Sequence, residues 1–355
     1  MKSIRIIFIC FALICFVAPS ALMLGGFKNE NRENRPLANL PKLITKDGLN
    51  TGFAAGLDEF TNDHFALREY LVTAFNAADI ALLKDFNGTN TVIGKNGFVY
   101  FAETVDDYLG INQLTEEQID SIAAYLADIS ADMEKKGVKF AFMTAPNKAA
   151  IYPEYMPGYL AVTSNARNID MLTGKLKELG VGCVDAKKLL TEAKDERTLY
   201  YERDSHWNNF GAMLVYNEIA EQFGLESFDP YTYTTVVDRT GDLNNFVYPS
   251  IEYPEERIVY PDFHSYSSKR PINLERDKKI ETVSEVNDVT MLVYHDSFCR
   301  SLQPFFSQSV GKLHMMSYFP YNLENVDELK PDIFMIELAE RNLDKLYEHV
   351  KTLGY

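Results

Sequence analysis

An α/β fold built around a mostly parallel sheet is the architecture this sequence predicts, on three observations. Short apolar runs of strand length alternate with segments of helical periodicity along most of the chain, the pattern of a parallel sheet with helical crossovers. The runs "VKFAFMTA" and "DIFMIEL" are apolar at nearly every position, as in strands covered on both faces. The polar clusters "TAPNK", "HDSF" and "ELAER" stand at the ends of such runs, where open parallel sheets place their sites.

The first 26 residues stand apart. Lys2 and Arg5 precede an uncharged apolar run over 6–26, long enough to span a bilayer as a helix. A cleaved signal peptide is the rival, but the run continues past the weak "VAPSA" site. The expectation is an uncleaved anchor over 1–26, with the basic flank inside and the rest of the chain exported. A polar linker over 27–44 follows, then one extracytoplasmic domain over 45–355.

Positions 57–86 carry apolar residues at helical spacing and predict one or two amphipathic helices. "TVIGKNGFVYF" predicts a hairpin, because Asn96-Gly97 is a strong turn between two β-prone runs. Thr115 and Gln118 form a capping box and Gly137 a stop, which brackets a helix before "VKFAFMTA". "SNARNIDMLTGKLKELG" predicts a helix, "VGCVDA" a strand and "NNFGAMLVYNEIAEQFG" a helix. Residues 227–288 show little periodicity. Beyond them "VTMLVY", "KLHMMSY" and "DIFMIEL" predict strands, with helices at "SLQPFFSQSV", "LENVDELKP" and "NLDKLYEHVKTLG".

Composition is that of a folded protein, with 46% hydrophobic and 24% charged residues. The net charge of −16 argues against a nucleic-acid partner. Cys10 and Cys15 lie in the apolar run, so Cys183 and Cys299 are left as lone cysteines that make no disulfide framework and read as small hydrophobes.

The chemistry centres on "RDSHWNNFG" and "HDSF". A serine at a tight strand-to-helix turn, here Ser297, presents its hydroxyl at the sheet edge with backbone N–H groups behind it. It needs a base within reach, and His206 is the candidate, with Asp204 to orient the imidazole. Taken singly, each motif reads equally as helix capping, and Asp204, His206, His295 and Asp296 together also make a set that zinc or manganese accepts. Trp207 reads as packing under the histidine.

These motifs in this order resemble the bacterial DHHW proteins and the alginate O-acetyltransferase family within the SGNH-hydrolase-like superfamily. "FTNDHFALREYL" is similar to that family's N-terminal helix, "TVIGKNGFVYF" to its hairpin, "FMTAPNKAAIYPEYMP" to its Pro-x-Lys segment, and "PDIFMIELAERNL" to its closing strand and Glu-Arg turn. The resemblance implies a three-layer SGNH-type domain with Ser297 as nucleophile, His206 as general base and Asp204 as its orienter. Two positions depart from the family pattern. Ser205 stands where the DHHW proteins have their first histidine, and His295 where SGNH enzymes have a glycine.

The implied activity is acetyl transfer through an acyl-serine onto an exported or cell-surface polysaccharide, with a membrane-bound O-acyltransferase supplying the acetyl group. Neither metal nor cofactor enters that scheme. An esterase with the same triad and a non-catalytic polysaccharide-binding scaffold are the alternatives. Besides the Ser297 N–H, Asn147 is the candidate second oxyanion donor, and Lys148, Arg300 and Arg341 are candidates for a polymer carboxylate or for ordinary salt bridges.

Overall fold

In the computed structural model the apolar runs become strands of one sheet, as their two-sided hydrophobicity requires. The structure describes residues 2–27, 37–46, 48–83, 90–164, 166–317 and 319–355. The chain forms two compact units, Met1–Gly88 with Asp242–Tyr253, and Thr89–Gly241 with Pro254–Tyr355. The expected boundaries at 26 and 44 both fall inside the first unit. Half of the predicted linker, 28–36, lies outside the described residues.

The first unit holds helices α1 (Lys2–Leu24), α2 (Phe53–His64) and α3 (Arg68–Leu83) and a short pair, Ile44–Thr45 with Gly48–Leu49. The two helices foreseen over 57–86 are α2 and α3, whose last predicted residues, 84–86, lie outside the described set. Asn76 of α3 donates to the Val247 carbonyl at 2.8 Å, and the Thr73 hydroxyl accepts the Ser250 N–H, which ties α3 to the Asp242–Tyr253 segment. The apolar run over 6–26 is helical in α1, with Pro19 inside it. Among the described residues no helix is long and apolar enough to cross a membrane. The anchor therefore rests on the sequence.

The second unit begins with the predicted hairpin, β1 (Thr91–Ile93) and β2 (Val99–Phe101), turned by Asn96 and Gly97 at φ 55° and 87°. Two positive φ values in succession are what this turn demands. Helix α4 (Glu116–Lys136) has its Thr115–Gln118 capping box and ends at Gly137 in the left-handed region, as expected. There follow β3 (Lys139–Ala145), α5 (Asn168–Glu178), β4 (Cys183–Val184), α6 (Ala186–Ala193) and α7 (Asn209–Phe223). The stretch without periodicity contains β5 (Thr234–Thr240) and β6 (Pro254–Val259), which pair antiparallel, and then β7 (Tyr266–Ser267) and β8 (Lys279–Ser284). The chain closes with β9 (Thr290–Tyr294), α8 (Gln303–Ser309), β10 (Lys312–Met316), α9 (Glu324–Leu329), β11 (Ile333–Ala339) and α10 (Leu343–Thr352).

The sheet runs β4-β3-β11-β9-β10-β8-β7. The first five strands are parallel, and β8 and β7 join antiparallel at one edge. Alternate residues feed two cores: Phe140, Leu292 and Phe334 pack with α4, α5 and α10, while Met143, Val293 and Met335 pack with α7 and α8. This is the three-layer α/β fold of SGNH type. β9 and β11 pair through Tyr294↔Ile336, and β11 and β3 through Ala339↔Ala145. The turns carrying Ser297, Glu340 and Asn147 thus leave one end of the sheet together.

Candidate active site

The site begins with how two distant segments are fastened together. Tyr200 and Trp207 bridge as a tight antiparallel pair, so residues 201–206 form a loop ahead of α7. Asn208 caps that helix, its side-chain oxygen accepting the Phe210 and Gly211 N–H groups at 3.0 Å. Asp204 is thereby free of the capping duty a lone Asp-x-His suggests. A Cβ on Gly211 would lie 2.5 Å from the Leu199 carbonyl oxygen, so only glycine admits this close approach. The buried Trp207 indole N–H donates to the Ser301 hydroxyl at 2.6 Å and the Phe298 carbonyl at 3.1 Å, and the ring meets Phe298 edge-on. The tryptophan therefore packs beneath the turn that carries Ser297.

That turn is shaped by Asp296. Its Oδ1 accepts the Phe298 N–H at 3.0 Å, and its Oδ2 accepts the Ala339 N–H at 2.7 Å and the Asn342 amide at 3.2 Å. Ser297 sits half-buried between, at the start of a short 3₁₀ turn, Phe298–Leu302. Its own N–H makes no hydrogen bond among the described residues, which leaves it available to a ligand oxygen.

Ser297 Oγ lies 2.8 Å from His206 Nε2, and His206 Nδ1 lies 2.7 Å from Asp204 Oδ1. A carboxylate only accepts, so Nδ1 carries the proton and the Nε2 lone pair faces the serine. The His206 ring packs on Phe298 with centroids 4.8 Å apart. Asp204 is fully buried, and burial alone pushes its pKa up. The His206 hydrogen bond and charge, with the Arg239 guanidinium, outweigh that cost and hold the carboxyl well below the usual range. Arg239, on β5, donates from Nε at 3.2 Å and Nη2 at 2.6 Å to Asp204 Oδ2. Nothing in the sequence singled Arg239 out. Ser205 is more than a spacer, since its hydroxyl lies 3.2 Å from His206 Nδ1.

Two of the other nominated residues, Lys148 and Asn147, need correction. Lys148 is 4% exposed and gives its ammonium to the carbonyls of Val99, Tyr201 and Glu202 at 2.6–2.9 Å. It is a tie between the hairpin and the Asp204 loop, out of reach of a polymer. Asn147 is buried, its amide N–H donating to Asp107 Oδ2 at 2.9 Å and its backbone N–H to Glu340 Oε2, so it braces the strand ends. Arg300 pairs with Glu275 at 3.0 Å, the ordinary salt bridge. Arg341 differs. Among the described residues it has no carboxylate partner, and its guanidinium lies 5.3 Å from the Phe298 ring centre.

His295 donates from Nδ1 to the Asp296 carbonyl at 2.6 Å and is buried, which lowers its pKa. Among the described residues it does not converge with Asp204 and His206, so the four-residue zinc or manganese set with His295 and Asp296 does not form. The scaffold alternative expects Ser297 and His206 out of hydrogen-bond reach, and they stand within it. Cys299 is buried and Cys183 partly so, both as free thiols.

Chemically, a half-exposed hydroxyl bonded to an imidazole acceptor, with an oriented carboxylate behind it, can be deprotonated as it attacks an electrophile. A buried carboxylate held ionised is what stabilises the imidazolium formed in that step.

The chain is 21% identical over 236 residues to the probable alginate O-acetylase AlgJ of Pseudomonas putida, covering 64% of this chain and 60% of that protein. It spans about 60% of the length of the curated relatives it matches. Its fold is similar to a DHHW family protein from Eubacterium siraeum, with a TM-score of 0.54 and 15% identity over 76% of this chain and 97% of the other. It is also similar to PatB1 of Bacillus cereus, with a TM-score of 0.50 and 19% identity over 65% and 92% of the two chains. The family described as SGNH hydrolase-like domain, acetyltransferase AlgX, matches residues 91–277, a span that holds Asp204 and His206 and ends before Ser297. Because that match covers more than half of the chain, this protein belongs to the SGNH hydrolase-like, AlgX-type acetyltransferase family.

Proposed function

We propose that this protein is a serine-dependent O-acyltransferase, acting in acetyl transfer to a polysaccharide. The observation that carries the reading is the continuous hydrogen-bonded series Asp204–His206–Ser297 at the carboxyl end of the sheet. Membership of an acetyltransferase family supports the acetyl group, and the alginate O-acetylase relatives support a polysaccharide acceptor.

In the mechanism, His206 Nε2 takes the proton from Ser297 Oγ as that oxygen attacks the carbonyl carbon of an acyl ester. The oxyanion is met by the Ser297 N–H. Collapse breaks the bond to the donor alkoxide, which receives the proton back from His206, and an acyl-serine remains. A sugar hydroxyl then loses its proton to the same nitrogen, attacks the acyl carbon and leaves acetylated, while Ser297 is restored. If water takes the acceptor's place, the same residues give an esterase. Arg341, 5.3 Å from the Phe298 ring centre, offers a cation for a charged acceptor or donor group.

We further infer an N-terminal anchor over 1–26, with the remaining chain on the extracytoplasmic face. There a membrane-bound O-acyltransferase would deliver the acetyl group, since acetyl-coenzyme A is cytoplasmic. The direct test uses a chromogenic acetyl ester. Wild type should turn it over, and Ser297→Ala should lose roughly a thousandfold or more. Activity retained in the variant would refute the assignment. Addition of oligosaccharide acceptors, with mass detection of acetylated product, separates transferase from esterase.

A further inference from the structure

Helix α3 is built inside out. A helix on a folded protein ordinarily turns its apolar stripe inward and its polar face to water. Among the described residues of α3 only Thr73 and Asn76 are buried, and both are polar. The Asp242–Tyr253 segment holds them: Asn76 donates to the Val247 carbonyl at 2.8 Å, and the Thr73 hydroxyl accepts the Ser250 N–H at 3.0 Å. The other side carries Leu71, Ala74, Phe75, Ala78, Ala81 and Leu82, all exposed. Their three- and four-residue spacing lines them along one face of the helix. Phe75 is 69% exposed and Leu82 81%, values that belong to charged side chains rather than to these. The charged residues of α3, Arg68, Glu69 and Asp79, are only partly exposed and lie to one side of the stripe.

A contiguous apolar face of this kind marks a partner. Its chemistry separates lipid from protein. A protein interface carries hydrogen-bonding groups throughout. On this stripe the single such group is the hydroxyl of the exposed Tyr70, at the N-terminal end. Hydrocarbon offers no hydrogen-bond partner and asks for none.

Placement agrees. Helix α3 belongs to the same compact unit as the apolar run over 6–26. With that run in the bilayer, the extended chain from Gly26 to Leu37 reaches at most about 40 Å. The folded part of the unit therefore starts close to the membrane. The short pair Ile44–Thr45 with Gly48–Leu49 repeats the pattern, with Leu43, Ile44 and Leu49 exposed beside exposed Lys42 and Lys46. Lysine stems lie along apolar surface and carry their ammonium groups up to lipid phosphates.

We propose that α3 lies in the interface of the extracytoplasmic leaflet, its Leu71–Phe75–Leu82 stripe among the acyl chains just below the headgroups, with the short pair as a second contact. The partner is the lipid surface itself. The proposal rests on the anchor inferred above for its nearness to the membrane, and not on acyl chemistry.

The test uses the full chain in nanodiscs of phosphatidylcholine and phosphatidylglycerol, doped with a phosphatidylcholine that carries a diazirine on its acyl chain. Light expels dinitrogen, the carbene inserts into a neighbouring bond, and mass spectrometry of the digest maps the lipid adducts. Adducts on residues 70–82 should exceed those on α10 about tenfold. Ala78→Asp, at an exposed position in the middle of the stripe, should cut the α3 adducts about fivefold, because a carboxylate is costly below the headgroups. Ala78→Leu should keep or raise them. The proposal is overturned if α3 takes no adducts, as a face covered by a second copy or another protein would not. It is overturned equally if adducts spread evenly over α3 and α10. Ala78→Asp labelled as strongly as wild type also overturns it, since the tether alone would then explain the contact. Adducts over 6–26 without any on α3 refute this surface alone. Adducts on α3 without any over 6–26 refute the anchor alone.

Discussion

At the carboxyl end of β9, Ser297 and His295 stand two residues apart in opposite polar settings. On the Ser297 side, His206 uses both ring nitrogens within the chain, and both Asp204 oxygens accept donors. On the His295 side, His295 Nε2 makes no hydrogen bond among the described residues, and burial pushes the pKa of the fully buried Glu337 well up. The first arrangement is complete before any substrate arrives, as a preorganised proton path must be. The second is kept uncharged by burial and takes no part in the relay. The contrast teaches that, at one sheet end, burial beside cationic partners keeps a carboxyl ionised while burial beside another acid drives it neutral.

Breaking the complete side should have the largest effect. Asp204→Asn keeps the shape but favours the wrong imidazole tautomer, and ester turnover should fall about 10⁴-fold. If turnover fell by less than tenfold, Asp204 would not be orienting the base.

Arg239→Gln is milder, because the guanidinium is 35% exposed and water takes over part of its role. Turnover should drop about tenfold. The sharper readout is pH. Arg239 helps depress the Asp204 pKa, so the stability that Asp204 contributes is present above its unfolded value and is lost as pH falls through the lower folded value. Without Arg239 that loss should set in at higher pH, moving the acid limb of the stability profile upward. An unmoved acid limb would mean that His206 alone keeps the carboxyl ionised.

The smallest effect sharpens the other side. Glu337 has a raised pKa, so its favourable contribution is full below the ordinary glutamate value of 4.5 and is lost as pH rises through the folded value. Glu337→Gln retains a neutral donor and acceptor. Its stability should match wild type within about 0.5 kcal/mol near pH 4 and gain on it toward pH 8. Denaturant curves at the two pH values decide this, and a constant difference would mean an ionised Glu337.

Much of the site was legible because its chemistry is local. Asp204 and His206 are two residues apart, and Ser297 follows an apolar run that had to be a buried strand, so the family resemblance fell on positions already marked by pattern. Arg239 was invisible for a physical reason. It lies on β5, where five of seven residues are exposed, so no core alternation announces the strand. Lys148 misled in the opposite sense. An isolated lysine at a helix start reads as a solvated cation, and only the converging carbonyls of Val99, Tyr201 and Glu202 reveal a buried tie. His295, which stands where SGNH enzymes have a glycine, is buried and donates from Nδ1 to the Asp296 carbonyl, a role that no sequence pattern announced.

Trp207 is the chain's single indole, and it is 1% exposed at the junction of the two segments that build the relay. The protein therefore carries its own optical gauge. Excitation near the red edge of protein absorption reports from this one location, with no background from other tryptophans. A blue, water-shielded emission signifies that the two segments are docked, and a red shift marks their separation. Site assembly can thus be followed by light, without a label, separately from the melting of the rest of the fold.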